Sequence, residues 1–207
     1  MMFYHFMRFV GRIYWRLRLK IQIEGEASIP LEGPFILISN HVSNIDPFIT
    51  HIFCPRLLFT MTKSSVFRFK ITRFLAPKVG AFPTRRFRVD PQTVRVALRL
   101  LGEGKPVGVF PEGERSWDGN FRKFRIGTIK LLLKAGVPVI PCGINGTYEI
   151  APRWGKFDWL AFRLRKERVV VRYGEPILFG NHDSRIAREK ALPDAMERVV
   201  QALKSVT

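Results

Sequence analysis

Two residues in the first quarter of the chain have the types and spacing for proton transfer. The segment at residues 40–47 reads Asn-His-Val-Ser-Asn-Ile-Asp-Pro, placing His41 five positions before Asp46. A carboxylate that accepts a hydrogen bond from one imidazole nitrogen fixes the tautomer and makes the other nitrogen a better base, able to take the proton of an attacking alcohol. Five residues along a regular helix would put the two side chains on different faces, so a turn has to bring them together. Pro47 disfavours helical geometry at Asp46 and suits the start of the next helix, which leaves Asp46 in the loop. A plainer reading makes Asp46 an N-cap and His41 a loop histidine. On spacing alone the plainer reading is favoured, because Asp-Pro caps are common.

Further along, residues 110–116 (Phe-Pro-Glu-Gly-Glu-Arg-Ser) put Glu112 and Arg115 within one turn. The planar guanidinium fork binds two oxygens at once and never loses its charge, so Arg115 suits a phosphate. Glu112 could orient Arg115 or the hydroxyls of a bound glycerol. Residues 80–86 (Gly-Ala-Phe-Pro-Thr-Arg-Arg) form a second cationic loop. Each loop taken singly reads as a solvated turn. Ser43 lacks the GxSxG elbow of a nucleophilic serine. His5, His51 and His182 show no metal-ligand spacing and read as surface or packing residues.

The elements that must hold these residues follow from apolar runs and their punctuation. Strands are expected near residues 35–39, 57–62, 107–110, 137–144 and 168–173. Between them lie helical patterns. One is capped by Asp90, with Pro91 in its first turn, and stops at Gly102 to Gly104. Another covers residues 127–135 with Gly136 as its stop, and a third covers 186–204. Residues 64–76 start on a candidate N-cap, Ser64, and end before Pro77, but their phenylalanines do not share one helical face; contact with lipid or an acyl chain and internal packing stand level there. Strands alternating with helices predict an α/β domain, a mixed and largely parallel sheet flanked by helices. In such sheets ligands gather beyond the carboxyl ends of the strands, where both motif loops fall.

Residues 3–20 carry Arg8, Arg12, Arg16, Arg18 and Lys20 and no acid. At 100° per residue Phe3, Phe6, Met7, Val10, Ile13, Tyr14 and Leu17 gather on one side, with Arg8, Arg12, Arg16 and Lys20 opposite. This is the layout of an amphipathic helix at a membrane surface, each basic residue adding about 1 kcal/mol near an anionic bilayer. The alternative packs the apolar stripe on the core and leaves the arginines in water. The chain is read as an amphipathic membrane-associating segment at 1–20 and one domain at 21–207.

The 35 basic and 17 acidic side chains among 207 residues give a formal charge of +18, which favours polyanionic partners: nucleic acid, an anionic bilayer or phosphorylated substrates. No helix-turn-helix, zinc-finger or RNP signature points to nucleic acid, and no partner of that kind is expected. Cys54 and Cys142 sit in apolar surroundings without a CxxC pair and are expected to be inert buried thiols in a reducing cytosol. No stretch reaches the roughly 18 apolar residues of a spanning helix, and neither membrane crossing nor secretion is expected.

Taken together, residues 40–46 (NHxSxxD), 80–86 (GAFPxxR), 110–116 (FPEGxRS) and 137–142 (VPVIPC) resemble, in order and spacing, the bacterial 1-acylglycerol-3-phosphate acyltransferase family. The resemblance spans roughly residues 20–180. It implies that His41 is the general base and Asp46 its orienter, without a covalent acyl enzyme. It further implies acceptor binding by the second and third blocks: Arg86 and Arg115 on phosphate, Glu112 and Gly113 shaping the loop, with Ser116 among the substrate-binding residues. The fourth block is structural or forms an acyl pocket. The implied reaction moves a fatty acyl group from acyl-CoA or acyl carrier protein, a co-substrate rather than a cofactor, to the free hydroxyl of a lysophosphatidic acid. Its expected place is peripheral, on the cytoplasmic face of the cell membrane, and it needs neither cofactor nor metal. Glu114 stands where the family usually has threonine, and Arg85 where aspartate is common, which bears on headgroup preference. The competing readings are an acyltransferase for another lysolipid, such as an amino-acid lipid or glycolipid, and a nonenzymatic basic module that binds lipid or nucleic acid.

Overall fold

The computed structural model describes residues 2–84, 90–154, 167–180, 182 and 184–207. At its centre is strand β2 (Ile36–Ser39), flanked by β5 (Val107–Val109) and β6 (Val139–Asn145). Outside these lie β1 (Lys20–Glu24), β7 (Arg168–Tyr173), β3 (Phe59–Lys63) and β4 (Ala81–Thr84), in the order β1-β7-β6-β2-β5-β3-β4. Every neighbouring pair is parallel except β6 with β7. The sheet is therefore mixed and largely parallel, as its uninterrupted apolar runs predict for strands covered on both faces.

Successive side chains of the central strand enter two separate cores. Ile36 and Ile38 pack with Val107, Val109 and helices α4 (Pro91–Gly102), α5 (Ile126–Ala135) and α6 (Arg185–Val206). Phe35 and Leu37 face the opposite layer, with Ile49 and Phe53 of α2 (Asp46–Phe53) and Val169 and Val171 of β7. Each such fully buried aliphatic or aromatic side chain stabilises the fold by roughly 1.5–3 kcal/mol. The Asp90 cap forms as expected, its side chain accepting from the Gln92 amide, and Gly136 closes α5 in the left-handed region. Cys54 and Cys142 are free and buried, and burial raises both thiols.

Some elements differ from expectation. Residues 64–76 are not one helix. Ser64 lies in a 3-10 turn (Ser64–Arg68), and the extended Phe69 separates it from α3 (Lys70–Leu75). Side chains stabilise the break, because the Thr72 hydroxyl bonds back to the Val66 carbonyl and Arg73 donates to Phe67 O. Lys20 and its neighbours pair with β7 as an edge strand instead of extending the N-terminal helix, α1 (Met2–Arg18). Ala81 to Thr84, read as loop, pair with β3.

Helix α1 docks with Tyr4, Arg8 and Arg12 inward. Arg8 donates to Ile52 O at 3.0 Å and Pro55 O at 2.9 Å, and Arg12 donates to Ile52 O at 3.1 Å. Ile52 O belongs to the last turn of α2, where a helix lacks its own donors and the dipole favours cations, and Pro55 O lies just beyond it. Tyr4 is buried and donates to His51 O, while Phe6, Phe9 and Leu17 are each more than 60% exposed. Arg8 and Arg12 thus hold the helix to the domain, while Phe6, Phe9, Val10, Ile13 and Leu17 point away from it. No helix among the described residues is long and apolar enough to cross a membrane.

Candidate active site

The carboxyl ends of β2, β5 and β6, three neighbouring strands, lie along one edge of the sheet. From β2 the chain enters the turn bearing His41 and Asp46. His41 Nδ1 is 3.0 Å from Asp46 Oδ2, so the ring's other nitrogen, Nε2, is the one placed to accept a proton. The same Oδ2 accepts the backbone amides of Val42 (2.8 Å) and Ser43 (2.6 Å), bonds that fold the turn back onto the carboxylate. Oδ1 accepts the Thr147 hydroxyl at 2.6 Å. Asp46 begins α2, yet its side chain points backward into the turn instead of forward onto the first helical amides. It is therefore not a simple cap. Phe110 stacks on the imidazole with ring centroids 4.3 Å apart.

Asn40 fastens this turn to the neighbouring strand end, donating to Ile144 O and accepting from Ile144 N, both at 2.8 Å. Ser43 is fully buried and its hydroxyl donates to Ala151 O, which turns it away from any nucleophilic role. His51 also lies in this region. Its Nδ1 donates to Pro47 O, its Nε2 accepts from the Thr60 hydroxyl, and burial lowers its affinity for a proton.

From β5 the chain enters the FPEG loop. Glu112 is buried; Oε1 accepts the His41 amide at 3.3 Å, while Oε2 has no hydrogen-bond partner among the described residues. Burial is the main reason its carboxyl is pushed up to about 8, with Asp46's charge adding to the rise and the His41 amide and Arg122 opposing it. Gly113 has φ +71°, and a Cβ there would sit 2.1 Å from Arg125 Nε, so only glycine lets the Arg125 side chain cross the loop. Arg125 donates through Nε to Glu112 O. Burial and the like charge of Arg153 both lower Arg115's hold on its proton, against the pull of Asp46, but an arginine stays charged.

Glu114, the departure from threonine, is clasped by Arg122 at 3.1 Å and Arg153 at 3.0 Å. Burial alone would raise its carboxyl; the hydrogen bond from Arg153 and the surrounding guanidinium charges bring it below the usual range. Arg153 also donates to Arg115 O, so the added carboxylate acts as a brace for the loop. The Ser116 amide donates to His41 O at 2.7 Å, tying the two motif loops directly, while its hydroxyl is turned toward Asn120 O and Asp118.

These loops border a cavity of about 980 Å³, within the size range of small-molecule sites. His41, Gly113, Arg115 and Arg125 give it a polar, cationic end, and Met7, Phe48, Ile52, Val66, Leu75 and Leu131 give it apolar walls. Of the residues singled out in the sequence, His41, Gly113 and Arg115 line this space. Asp46, Glu112 and Ser116 are buried behind them. Arg86 lies outside the described residues.

Comparison with known proteins agrees with this geometry. The sequence model of the family described as Acyltransferase matches residues 20–145. The chain belongs to the acyltransferase family. It is 31% identical over 137 residues to a 1-acyl-sn-glycerol-3-phosphate acyltransferase of Borreliella burgdorferi, covering 64% of this chain and 54% of that one. A Bacillus subtilis protein of the same name is 24% identical over 205 residues, covering 98% of this chain and 97% of the relative. The chain spans about half the length of several of the curated relatives it matches. Its fold is shared with the crystal structure of the 1-acyl-sn-glycerophosphate (LPA) acyltransferase PlsC from Thermotoga maritima, with a TM-score of 0.72 at 24% identity over 97% of this chain and 79% of that one.

Two residues of this site escaped sequence reasoning. Arg125 belongs to the basic run Arg122-Lys123-Phe124-Arg125, whose only signal is charge. Thr147 follows an Asn-Gly turn after β6 and has no charge to mark it; what locates it is the strand order, which puts the end of β6 beside β2.

Proposed function

We propose that this chain moves a fatty acyl group from a thioester to the free hydroxyl of 1-acylglycerol-3-phosphate in phospholipid synthesis. The observation that carries this reading is the His41–Asp46 contact at the cationic end of an apolar cavity, with Nε2 as the proton-accepting nitrogen. His41 takes the hydroxyl proton as that oxygen attacks the thioester carbonyl; Asp46 holds the ring through Nδ1 and stabilises the imidazolium that forms. The thiol leaves with a proton returned by His41. Arg115, with Arg86 from the second motif, holds the acceptor's phosphate by bidentate, charge-assisted bonds. The apolar walls take the acyl chain. The relatives' names support the acceptor; coenzyme A and acyl carrier protein both fit as donor carriers, each presenting an anionic phosphopantetheine arm to a strongly basic protein.

The exposed side of α1 supports peripheral attachment to an anionic bilayer on the cytoplasmic face. Six apolar side chains, Phe6, Phe9, Val10, Ile13, Tyr14 and Leu17, are exposed there, a surface that water does not favour and a headgroup region does. Because Arg8 and Arg12 are engaged with α2, burial of this apolar face supplies most of the attachment.

The test is a panel of lysolipids offered with acyl-CoA and with acyl carrier protein, read by product mass. Transfer to lysophosphatidic acid is expected, and His41→Ala should lose at least about 10²-fold in kcat, the lower range for a general base. Acyl transfer only to other lysolipids, or acyl label retained on the protein after mixing with donor alone, would overturn the proposal.

A further inference from the structure

We infer that Thr147 is a positioning residue of the catalytic pair, acting on His41 through Asp46. This inference rests on the role of His41 proposed above. It starts from how the two oxygens of Asp46 are used. Oδ2 carries three contacts, from His41 Nδ1, Val42 N and Ser43 N. Oδ1 carries the Thr147 hydroxyl at 2.6 Å, the only side-chain donor it meets among the described residues. Asp46 and Thr147 are both fully buried, so no bulk water replaces that bond if it is lost. A carboxylate only accepts, which obliges Thr147 to donate its single proton to Oδ1.

The placement of Thr147 has its own supports. It stands two residues beyond the stretch that matches the acyltransferase family, 101 positions from Asp46. Gly146 before it has φ +83°, and a Cβ there would come within 2.1 Å of Arg168 O, so the turn that delivers Thr147 needs glycine. Its carbonyl accepts the Ala151 amide, and the strand end before it is clamped to Asn40. The hydroxyl is thus presented by a braced turn. It fixes the rotation of the carboxylate, keeping Oδ2 aimed at the imidazole, and it satisfies the oxygen that would otherwise be a bare buried charge.

Without the Thr147 hydroxyl, Oδ1 is left unsatisfied, the carboxylate is free to rotate, and its hold on the imidazole loosens.

The experiment compares Thr147→Val with Thr147→Ser in the full chain. Loss of a charge-assisted hydrogen bond predicts about a 10- to 100-fold fall in kcat for T147V with acceptor KM little changed. T147S should restore the rate. The downfield proton resonance of His41 Nδ1–H should be sharp in wild type and T147S and broadened by exchange in T147V. If T147V does not fold, Thr147→Ala takes its place in both measurements. A wild-type rate and a sharp resonance in T147V would overturn the inference, as would T147S impaired as deeply as T147V, since packing would then explain the loss. If the wild-type protein transfers no acyl group, the proposed function fails, and the resonance alone still decides whether Thr147 holds the pair.

Discussion

Glu112 ties the stability of this protein to pH through one buried carboxyl. In the unfolded chain the group titrates near 4.5; in the folded chain burial raises it to about 8. Between those values the folded chain holds one more proton than the unfolded one, so stability falls as pH rises. The slope is about 1.4 kcal/mol per pH unit, and over the whole window the loss approaches about 5 kcal/mol, a large fraction of the 5–15 kcal/mol typical of a domain. Glu112→Gln keeps the shape and an oxygen for the His41 amide but cannot ionise. At pH 5 the variant and wild type should differ by less than about 1 kcal/mol, because both side chains are then neutral in the folded state. By pH 8.5 the variant should be the more stable by about 4–5 kcal/mol. The assay is urea unfolding followed by tryptophan fluorescence at pH 5, 6, 7, 8 and 8.5. Ionisable groups elsewhere contribute equally to both proteins and cancel in the difference. A difference that stays constant from pH 5 to 8.5 would refute the reasoning, for it would mean that the carboxyl is already ionised in the folded protein at pH 5.

Other outcomes follow from the same geometry. Asp46→Asn can keep an oxygen toward the Val42 and Ser43 amides and its amino group toward Thr147, so a melting temperature close to wild type is expected while kcat falls by about 10²- to 10⁴-fold. Arg115→Ala should raise the acceptor KM by at least about tenfold with a smaller change in kcat, as steady-state kinetics with lysophosphatidic acid would reveal. Gly113→Ala forces a left-handed backbone and displaces Arg125; a destabilisation of about 1–3 kcal/mol is expected by urea unfolding. A chain lacking residues 2–20 should lose sedimentation with anionic vesicles, and unchanged binding would remove α1 from the attachment surface.

Five of the strands were legible because each is a short apolar run closed by proline, glycine or a polar turn; β1 and β4, mixed in polarity and at the two sheet edges, were not. The Asp90-Pro91 start of α4 was legible for a local reason, since cap and first turn are set within three residues. His41 and Asp46 could be paired from spacing and resemblance, yet the backbone amides that fold Val42 and Ser43 onto the carboxylate leave no side-chain trace. Nor does an amphipathic pattern say which of its sides docks. For α1 the choice is made by the unsatisfied carbonyls of Ile52 and Pro55, which only the folded neighbour presents. Thr147 was hidden by distance along the chain. Glu114 was visible as an odd carboxylate in a basic loop, but the two arginines that clasp it come from segments on either side of α5.

The sheet order also dictates when the reactive edge can exist during synthesis. β2 is made early, but its partner β6 and the Asn40–Ile144 clamp require residues 104 positions later, and β1 waits for β7, 148 positions away in the Glu24–Arg172 pair. Such distant pairings slow closure and leave apolar strands uncovered while the ribosome is still working. A nascent chain released before β6 therefore has the histidine and the aspartate but no wall to seat them against, so premature termination yields an aggregation-prone fragment and not a weakened enzyme.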